Sequence, residues 1–90
     1  MRRVHMIISG DVQGVGFRAW VLRWIKGKSI TGWVKNRQDG TVEIVAQGSE
    51  TDLQALVDAC HKGPEVAGVQ DVAMEWHRAI GDFAGFEVLY

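Results

Sequence analysis

The sequence predicts an α+β fold, a two-layer sandwich with two helices on one face of an antiparallel sheet. The first observation is the length, because 90 residues bury only about 60–65% of the surface of the unfolded chain and need efficient layering. The second is the order of hydrophobic periodicities, which alternates between two and about 3.6 residues along the chain. The third is Asp39-Gly40, a strong hairpin signal between two strand-like segments.

The first part of the chain predicts a strand, a loop and a helix. Residues Arg3–Ser9 are β-branched and apolar, with Val4, Met6 and Ile8 on one face of a strand. Residues Gly10–Gly16 are punctuated by glycine and predict a loop. From Phe17 to Lys28 a helix is predicted, because apolar residues recur at spacings of three and four. These are Phe17, Val21, Trp24 and Ile25.

The hairpin and the second helix follow. Strands are predicted over Ile30–Arg37 and Thr41–Gln47, and Val42, Ile44 and Ala46 share one face of the second. Ser49 has the character of a helix N-cap, with acidic residues in the first turn after it. The apolar stripe of this helix consists of Leu53, Leu56, Val57 and Cys60. Gly63-Pro64 predicts its end.

Two further strands complete the order. Val69–Trp76 alternates Gln70, Val72, Met74 and Trp76 against polar neighbours, and Gly85–Tyr90 predicts a short terminal strand. The order strand, helix, strand, strand, helix, strand corresponds to two split β-α-β units. Right-handed crossovers then give a ferredoxin-like sandwich with one extra strand.

Composition and charge exclude several classes of protein. The chain is 47% hydrophobic and 23% charged, which excludes disorder, and its net charge of −1 excludes a strongly basic nucleic-acid binder. The lone cysteine, Cys60, forms no internal disulfide, and no apolar run is long enough for a signal peptide or membrane span. We therefore expect a single domain over residues 1–90, monomeric and cytoplasmic, with no nucleic-acid or membrane partner.

Metal and cysteine chemistry are not expected. His5, His61 and His77 lie on separate elements without ligand spacing, so we expect neither metal nor cofactor. Cys60 lies on the apolar stripe of its helix, which favours a small buried hydrophobe over a nucleophile. Asp11 is near the glycine loop, where turn or solvent roles are favoured.

The predicted topology brings two segments to one edge of the sheet. The first two strands run parallel on either side of the third, so the loop after strand one and the end of strand two emerge together. Two strand spacings, roughly 10 Å, separate them. That gap accommodates one phosphate-sized anion and a water molecule.

The loop Gln13–Phe17 leads directly into a helix and has the character of an anion site. Its glycines allow consecutive N–H groups to form a nest, and the helix dipole also favours negative charge. The positive charge of Arg18 in the first helical turn interacts unfavourably with the positive end of the helix dipole, unless an anion lies between them. Arg18 is therefore either a two-pronged phosphate ligand or a solvated surface arginine.

Asn36 and two tryptophans also have two interpretations. At a strand end, Asn36 serves either turn chemistry or the orientation of a nucleophilic water, since its amide both donates and accepts. Trp20 and Trp24, four residues apart on a helix, either extend the core or form an exposed apolar patch. Spacing alone favours the turn and the core.

Three motifs favour the functional interpretations of Arg18 and Asn36. The segments GDVQGVGFR (Gly10–Arg18), GWVKN (Gly32–Asn36) and DGTVE (Asp39–Glu43), in this order and spacing, resemble the acylphosphatase family. The resemblance covers nearly the whole chain, including Gly63-Pro64 and Tyr90.

The resemblance implies a ferredoxin-like fold and metal-free hydrolysis of acyl phosphates, which are small-molecule substrates. By match of motif, Arg18 binds the phosphate together with backbone amides, and Asn36 positions the attacking water. The amides are those of Gly14, Val15, Gly16, Phe17 and Arg18 itself.

The chain departs from the family pattern in two places. Lys28-Ser29 replaces the usual Leu-Gly, and a left-handed Ser29 would cost about 1 kcal/mol relative to glycine. Leu89 replaces a basic residue before the final tyrosine. Both departures lie outside the three motifs.

Three other functions compete with a free-standing acylphosphatase. One is a non-catalytic phosphate or phospholigand-binding module that uses the same loop. Another is an RNA-binding ferredoxin-like domain, but the aromatic strand pattern of such domains is absent and the net charge is slightly negative. The third is an acylphosphatase-like domain that acts inside a larger carbamoyl-transfer protein. Because the chain runs from Met1 to Tyr90, we expect a free-standing enzyme instead.

Overall fold

The computed structural model describes residues 1–90 and contains five strands and two helices in the predicted order. In chain order these are β1 (Arg2–Asp11), α1 (Phe17–Ile25), β2 (Thr31–Asn36), β3 (Val42–Gly48), α2 (Glu50–Cys60), β4 (Gly68–Arg78) and β5 (Phe86–Leu89). The strands form one sheet in the order β4-β1-β3-β2-β5. This is the predicted ferredoxin-like arrangement, in which β1 and β2 lie on either side of β3.

Alternation along the central strands produces the core. Alternate residues in the middle of β1 and along β3 point toward the helices and are fully buried, as predicted. These residues are Val4, Met6 and Ile8 on β1, and Val42, Ile44 and Ala46 on β3. The registers Val4↔Ala46 and Met6↔Ile44 place them side by side. The helices therefore cover one continuous apolar face.

Helix α2 follows the sequence prediction closely. Ser49 is its N-cap, and the N–H of Asp52 donates to Ser49 Oγ at 3.1 Å. The apolar stripe is fully buried against the sheet; it consists of Leu53, Leu56, Val57 and Cys60. Neither helix of the fold has the length and apolar character needed to span a membrane.

Helix α1 ends three residues earlier than the sequence prediction, at the last residue of its apolar stripe. The helix was expected to continue to Lys28, but it ends at Ile25, and Gly27 adopts a φ of +83°. A left-handed glycine ends a helix without the steric cost that any other residue would incur. The expectation of a left-handed Ser29 is wrong, because no residue other than glycine has a positive φ. The left-handed position that ends the helix is thus Gly27, two residues before Ser29.

The two edge strands differ from their neighbours. The antiparallel pairing holds from β4 through β2, but β5 runs parallel to β2, with Gly32 opposite Phe86 and Lys35 opposite Leu89. Because β4 has only one neighbour, Val72 is its only buried residue, whereas Trp76 is half-buried and Met74 is exposed. The parallel direction of β5 brings the end of the chain to the edge of the sheet where β2 ends.

Both tryptophans of α1 contribute to packing. Trp20 and Trp24 are partly buried and pack against the main core. Trp20 also meets the Phe17 ring edge-on, with 5.4 Å between ring centroids. The core interpretation is therefore confirmed for both residues.

Cys60 is fully buried, and this burial raises the pKa of its thiol to about 12. A group with a raised pKa stays protonated below that value, so at pH 8 almost no reactive thiolate is present. We expect a disulfide reagent such as DTNB to leave the native protein unmodified at pH 8 and to modify one thiol after denaturation. Modification of the native protein within seconds would contradict this inert role.

Candidate functional site

The loop between β1 and α1 is flanked by two buried side chains. Val12 and Phe17 are 1% and 2% exposed and belong to the main core. The residues between them, 13–16, lie at the surface or are half-buried. Both ends of the loop are thus fixed by packing, which gives its backbone a defined position.

The loop backbone leaves its N–H groups free. Gly14 and Gly16 have φ values of +76° and +78°, and a Cβ on either would meet nothing within 4 Å, so their backbone conformation is what requires glycine. Gly16 is the N-cap of α1, with no side-chain capping bond and no acidic residue in the first turn. The first helical hydrogen bond is donated by Trp20 N–H to the carbonyl of Gly16 at 2.9 Å. The N–H groups before it donate to no backbone carbonyl, so they and the positive end of the helix dipole are available to an anion.

The Arg18 side chain is held at this helix N-terminus by the end of the chain. Its Nη1 donates to the carbonyl oxygen of Leu89 at 3.1 Å, and its guanidinium carbon lies 4.6 Å from the centroid of the Tyr90 ring. Arg18 forms no ion pair, whereas Arg2 and Arg37 both pair with carboxylates. Four of its five N–H donors and its full charge therefore remain available to an anion.

Asn36 is the last residue of β2 and lies opposite Val42 in the sheet. Asn36 is half-buried and its side chain makes no hydrogen bond within the protein. Because every buried polar side-chain atom of the protein has a partner, the unpaired amide atoms of Asn36 are not buried. The amide therefore faces solvent at the end of the strand. Both its donor and its acceptor are available to a water molecule.

These groups meet at one concavity of about 250 Å³. It is lined by Val12, Gly14, Gly16, Phe17, Arg18, Ala19, Leu22, Asn36, Val88 and Tyr90. The topology thus brings together the loop and the strand end as the sequence predicted. The lining contains no aspartate, glutamate or histidine, so its polar chemistry comes from backbone N–H groups, one guanidinium, one amide and one phenol.

The site also includes three residues to which the sequence assigned no role. Gln13 donates from Nε2 to the carbonyl oxygens of Arg37 and Thr41, at 2.7 and 2.9 Å. Leu89 contributes a carbonyl and Tyr90 a ring to Arg18. A carbonyl has no sequence signature, and the tyrosine was recognisable only as part of the family resemblance.

The remaining candidate groups lie apart from the concavity. His5 is paired with Glu43 through Nε2 and Oε2 at 2.6 Å, and Asp11 is exposed outside the lining. No group of three histidine, cysteine or carboxylate side chains is arranged to hold a metal ion. None of these residues lines the concavity.

Comparison with known proteins gives a consistent result. A family model described as acylphosphatase matches residues 4–88. An acylphosphatase of Pelotomaculum thermopropionicum is 41% identical over 88 residues, which is 98% of this chain and 96% of that protein. The crystal structure of acylphosphatase from Bacillus subtilis superimposes with a TM-score of 0.95 at 39% identity, and both chains are covered completely. A Coxiella burnetii acylphosphatase structure has a TM-score of 0.89 at 37% identity, covering 97% of this chain and 90% of that one.

Proposed function

The chain belongs to the acylphosphatase family, and from that premise we propose how its own residues hydrolyse the carboxyl–phosphate bond of small acyl phosphates. The products are a carboxylate and inorganic phosphate. Carboxylate is already a good leaving group, so the reaction needs little acid catalysis. It needs charge stabilisation and a positioned nucleophile.

Charge stabilisation comes from the loop and from Arg18. The backbone N–H groups of Gly14, Val15, Gly16, Phe17 and Arg18 hold the phosphoryl oxygens, and the guanidinium takes two of them in a bidentate contact. The contacts of Arg18 with Leu89 and Tyr90 support this role, because they restrain the side chain without neutralising it. The site is therefore organised before substrate arrives.

Asn36 positions the nucleophile. Its amide accepts from and donates to a water molecule, whose oxygen attacks phosphorus as the bond from phosphorus to the acyl oxygen breaks. The acyl carboxylate leaves with the bonding electron pair, and one water proton passes to a phosphate oxygen of the substrate itself. The lining supports this proton route, because it offers no carboxylate or imidazole as a base.

One observation carries this mechanism. The uncapped N-terminus of α1, the unpaired charge of Arg18 and the unpartnered amide of Asn36 all open onto the same concavity of about 250 Å³. A structural role for either side chain alone does not explain that convergence.

We also propose that residues 1–90 act as one domain and as a cytoplasmic monomer. The core of 17 residues draws on both helices and on the sheet, which supports a single folding unit. A lone, buried Cys60 is compatible with a reducing compartment. Light scattering against the 10.0 kDa mass of one chain tests the monomer.

Hydrolysis of benzoyl phosphate by the purified protein in excess EDTA tests the function. We expect rapid turnover, unaffected by the chelator, and no pH dependence that demands a deprotonated group with a histidine-like pKa. Absence of turnover by folded protein that inorganic phosphate still protects against unfolding would favour a phosphate-binding module instead.

A further inference from the structure

Gln13 connects the two halves of the site. Its Nε2 donates one hydrogen bond to the carbonyl of Arg37 and another to the carbonyl of Thr41, at 2.7 and 2.9 Å. Both donors of one side-chain amide are thus used on the turn that begins directly after Asn36. Gln13 itself lies at the start of the loop that carries the free N–H groups.

The turn that receives these bonds is well ordered internally. Arg37 N–H donates to the carbonyl of Thr41 at 2.9 Å, and Asp39 Oδ1 accepts from the hydroxyl and N–H of Thr41 at 2.6 and 3.0 Å. The hydroxyl bond, followed by the backbone bond, lowers the pKa of Asp39 below its ordinary value. Gln13 is therefore hydrogen-bonded to a turn that is itself held by internal hydrogen bonds, so that a displacement of the loop is transmitted to the turn.

No other hydrogen bond joins the loop to this turn. The ladder between β1 and β3 ends at the pair Ile8 and Val42, and it includes no residue of the loop or of the turn. Beyond that rung β1 continues with β4, through a register shift at Ser9 and Gly10. Without Gln13, no hydrogen bond would join the loop to the turn.

We propose that Gln13 is a positioning residue, which sets the distance between the N–H cradle of the loop and the Asn36 amide. The inference rests on the proposed function, in which the cradle holds the phosphoryl group and Asn36 holds the attacking water. Attack requires the water oxygen about 3–3.5 Å from phosphorus, and a displacement of about 1 Å costs on the order of 10²-fold in rate. A fixed spacing between the two segments thus governs turnover more than it governs binding.

The test compares Gln13→Leu, which removes both donors at similar volume, with Gln13→Glu, which sets a carboxylate against two carbonyl oxygens. Gln54→Leu is the matched control, because Gln54 is exposed on α2 and bonds only Asp58. We expect kcat for benzoyl phosphate to fall about 10-fold or more in Gln13→Leu and further in Gln13→Glu. KM and the inhibition constant of inorganic phosphate should change less than about threefold, and Gln54→Leu should match wild type.

A double variant separates positioning from general stabilisation. In an Asn36→Ala background, Gln13→Leu should lower kcat by less than about twofold, because the residue through which it acts is gone. Urea unfolding of each variant shows whether the protein remains folded under assay conditions.

Several results would overturn the inference. An unchanged kcat in both Gln13 variants would do so, as would equal losses of kcat and phosphate affinity, which would assign Gln13 to the cradle alone. Multiplicative losses in the double variant would show that it acts independently of Asn36. Full activity of the single Asn36→Ala variant would remove the inference together with the water role, and that result locates the failure in the proposed function.

Discussion

Replacement of Arg18 by alanine is expected to lower kcat/KM by about 10³-fold or more and to weaken phosphate binding. The change removes the only cationic side chain that lines the concavity. No carboxylate neutralises the Arg18 charge in the wild type, so the variant loses the whole interaction between the guanidinium and the bound anion. Steady-state assays with benzoyl phosphate and competitive inhibition by inorganic phosphate measure the two effects.

Two further variants make the Arg18 experiment specific. Arg18→Lys keeps a positive charge but loses the planar fork, so we expect it to recover only a small part of the activity. Arg23→Ala removes an exposed charge from the last turn of the same helix and should leave kcat/KM near wild type. Tight phosphate binding by folded Arg18→Ala would show that the loop amides act without the arginine.

Replacement of Asn36 by alanine is expected to lower kcat by about 10²-fold or more with little change in phosphate affinity. The amide makes no hydrogen bond within the protein, so its removal leaves no buried group unpaired and should scarcely alter stability. The loss instead reflects a water molecule that is no longer oriented. Comparison of kcat, the phosphate inhibition constant and the urea midpoint separates these contributions.

The neighbouring turn provides the control for Asn36. Gln38→Ala changes an exposed amide two residues later, outside the concavity, and should behave as wild type. Asn36→Asp keeps the shape but exchanges the donor for a negative charge near the phosphoryl group, and we expect it to be at least as impaired as alanine. A near-normal kcat in Asn36→Ala would remove this residue from the mechanism.

Much of the fold was readable from local pattern. The buried faces of β1, β3 and α2 appear in the sequence as strict periods of two or about 3.6, because burial of alternate residues requires that spacing. The end of α1 was not readable in the same way. Ile25 is the last apolar residue of the stripe, so periodicity gives only a lower bound, and the left-handed Gly27 ends the helix through backbone geometry.

Candidate site residues were accessible where a side chain carries the chemistry. Arg18 and Asn36 were identifiable because an arginine in a first helical turn and a polar amide at a strand end each have a possible role in binding. The family motifs then favoured the functional interpretation of both. Their catalytic roles remain predictions. The contacts of Arg18 with the Leu89 carbonyl and the Tyr90 ring come from the end of β5 and the residue after it. No local pattern specifies the pairing partner or the direction of that strand.

The order of elements, the faces they bury, the glycine loop ahead of α1 and the family resemblance are all readable from short stretches of the chain. Each depends on residues close together in the chain, whose spacing alone decides whether a strand, helix or turn forms. Two features depend on the folded chain as a whole. Strand β5 runs parallel to β2 and brings Leu89 and Tyr90 onto Arg18, and Gln13 reaches from its loop to the turn after Asn36. These contacts join residues 71 and 24 positions apart, and backbone carbonyls accept both hydrogen bonds, so no side chain at the accepting position records them.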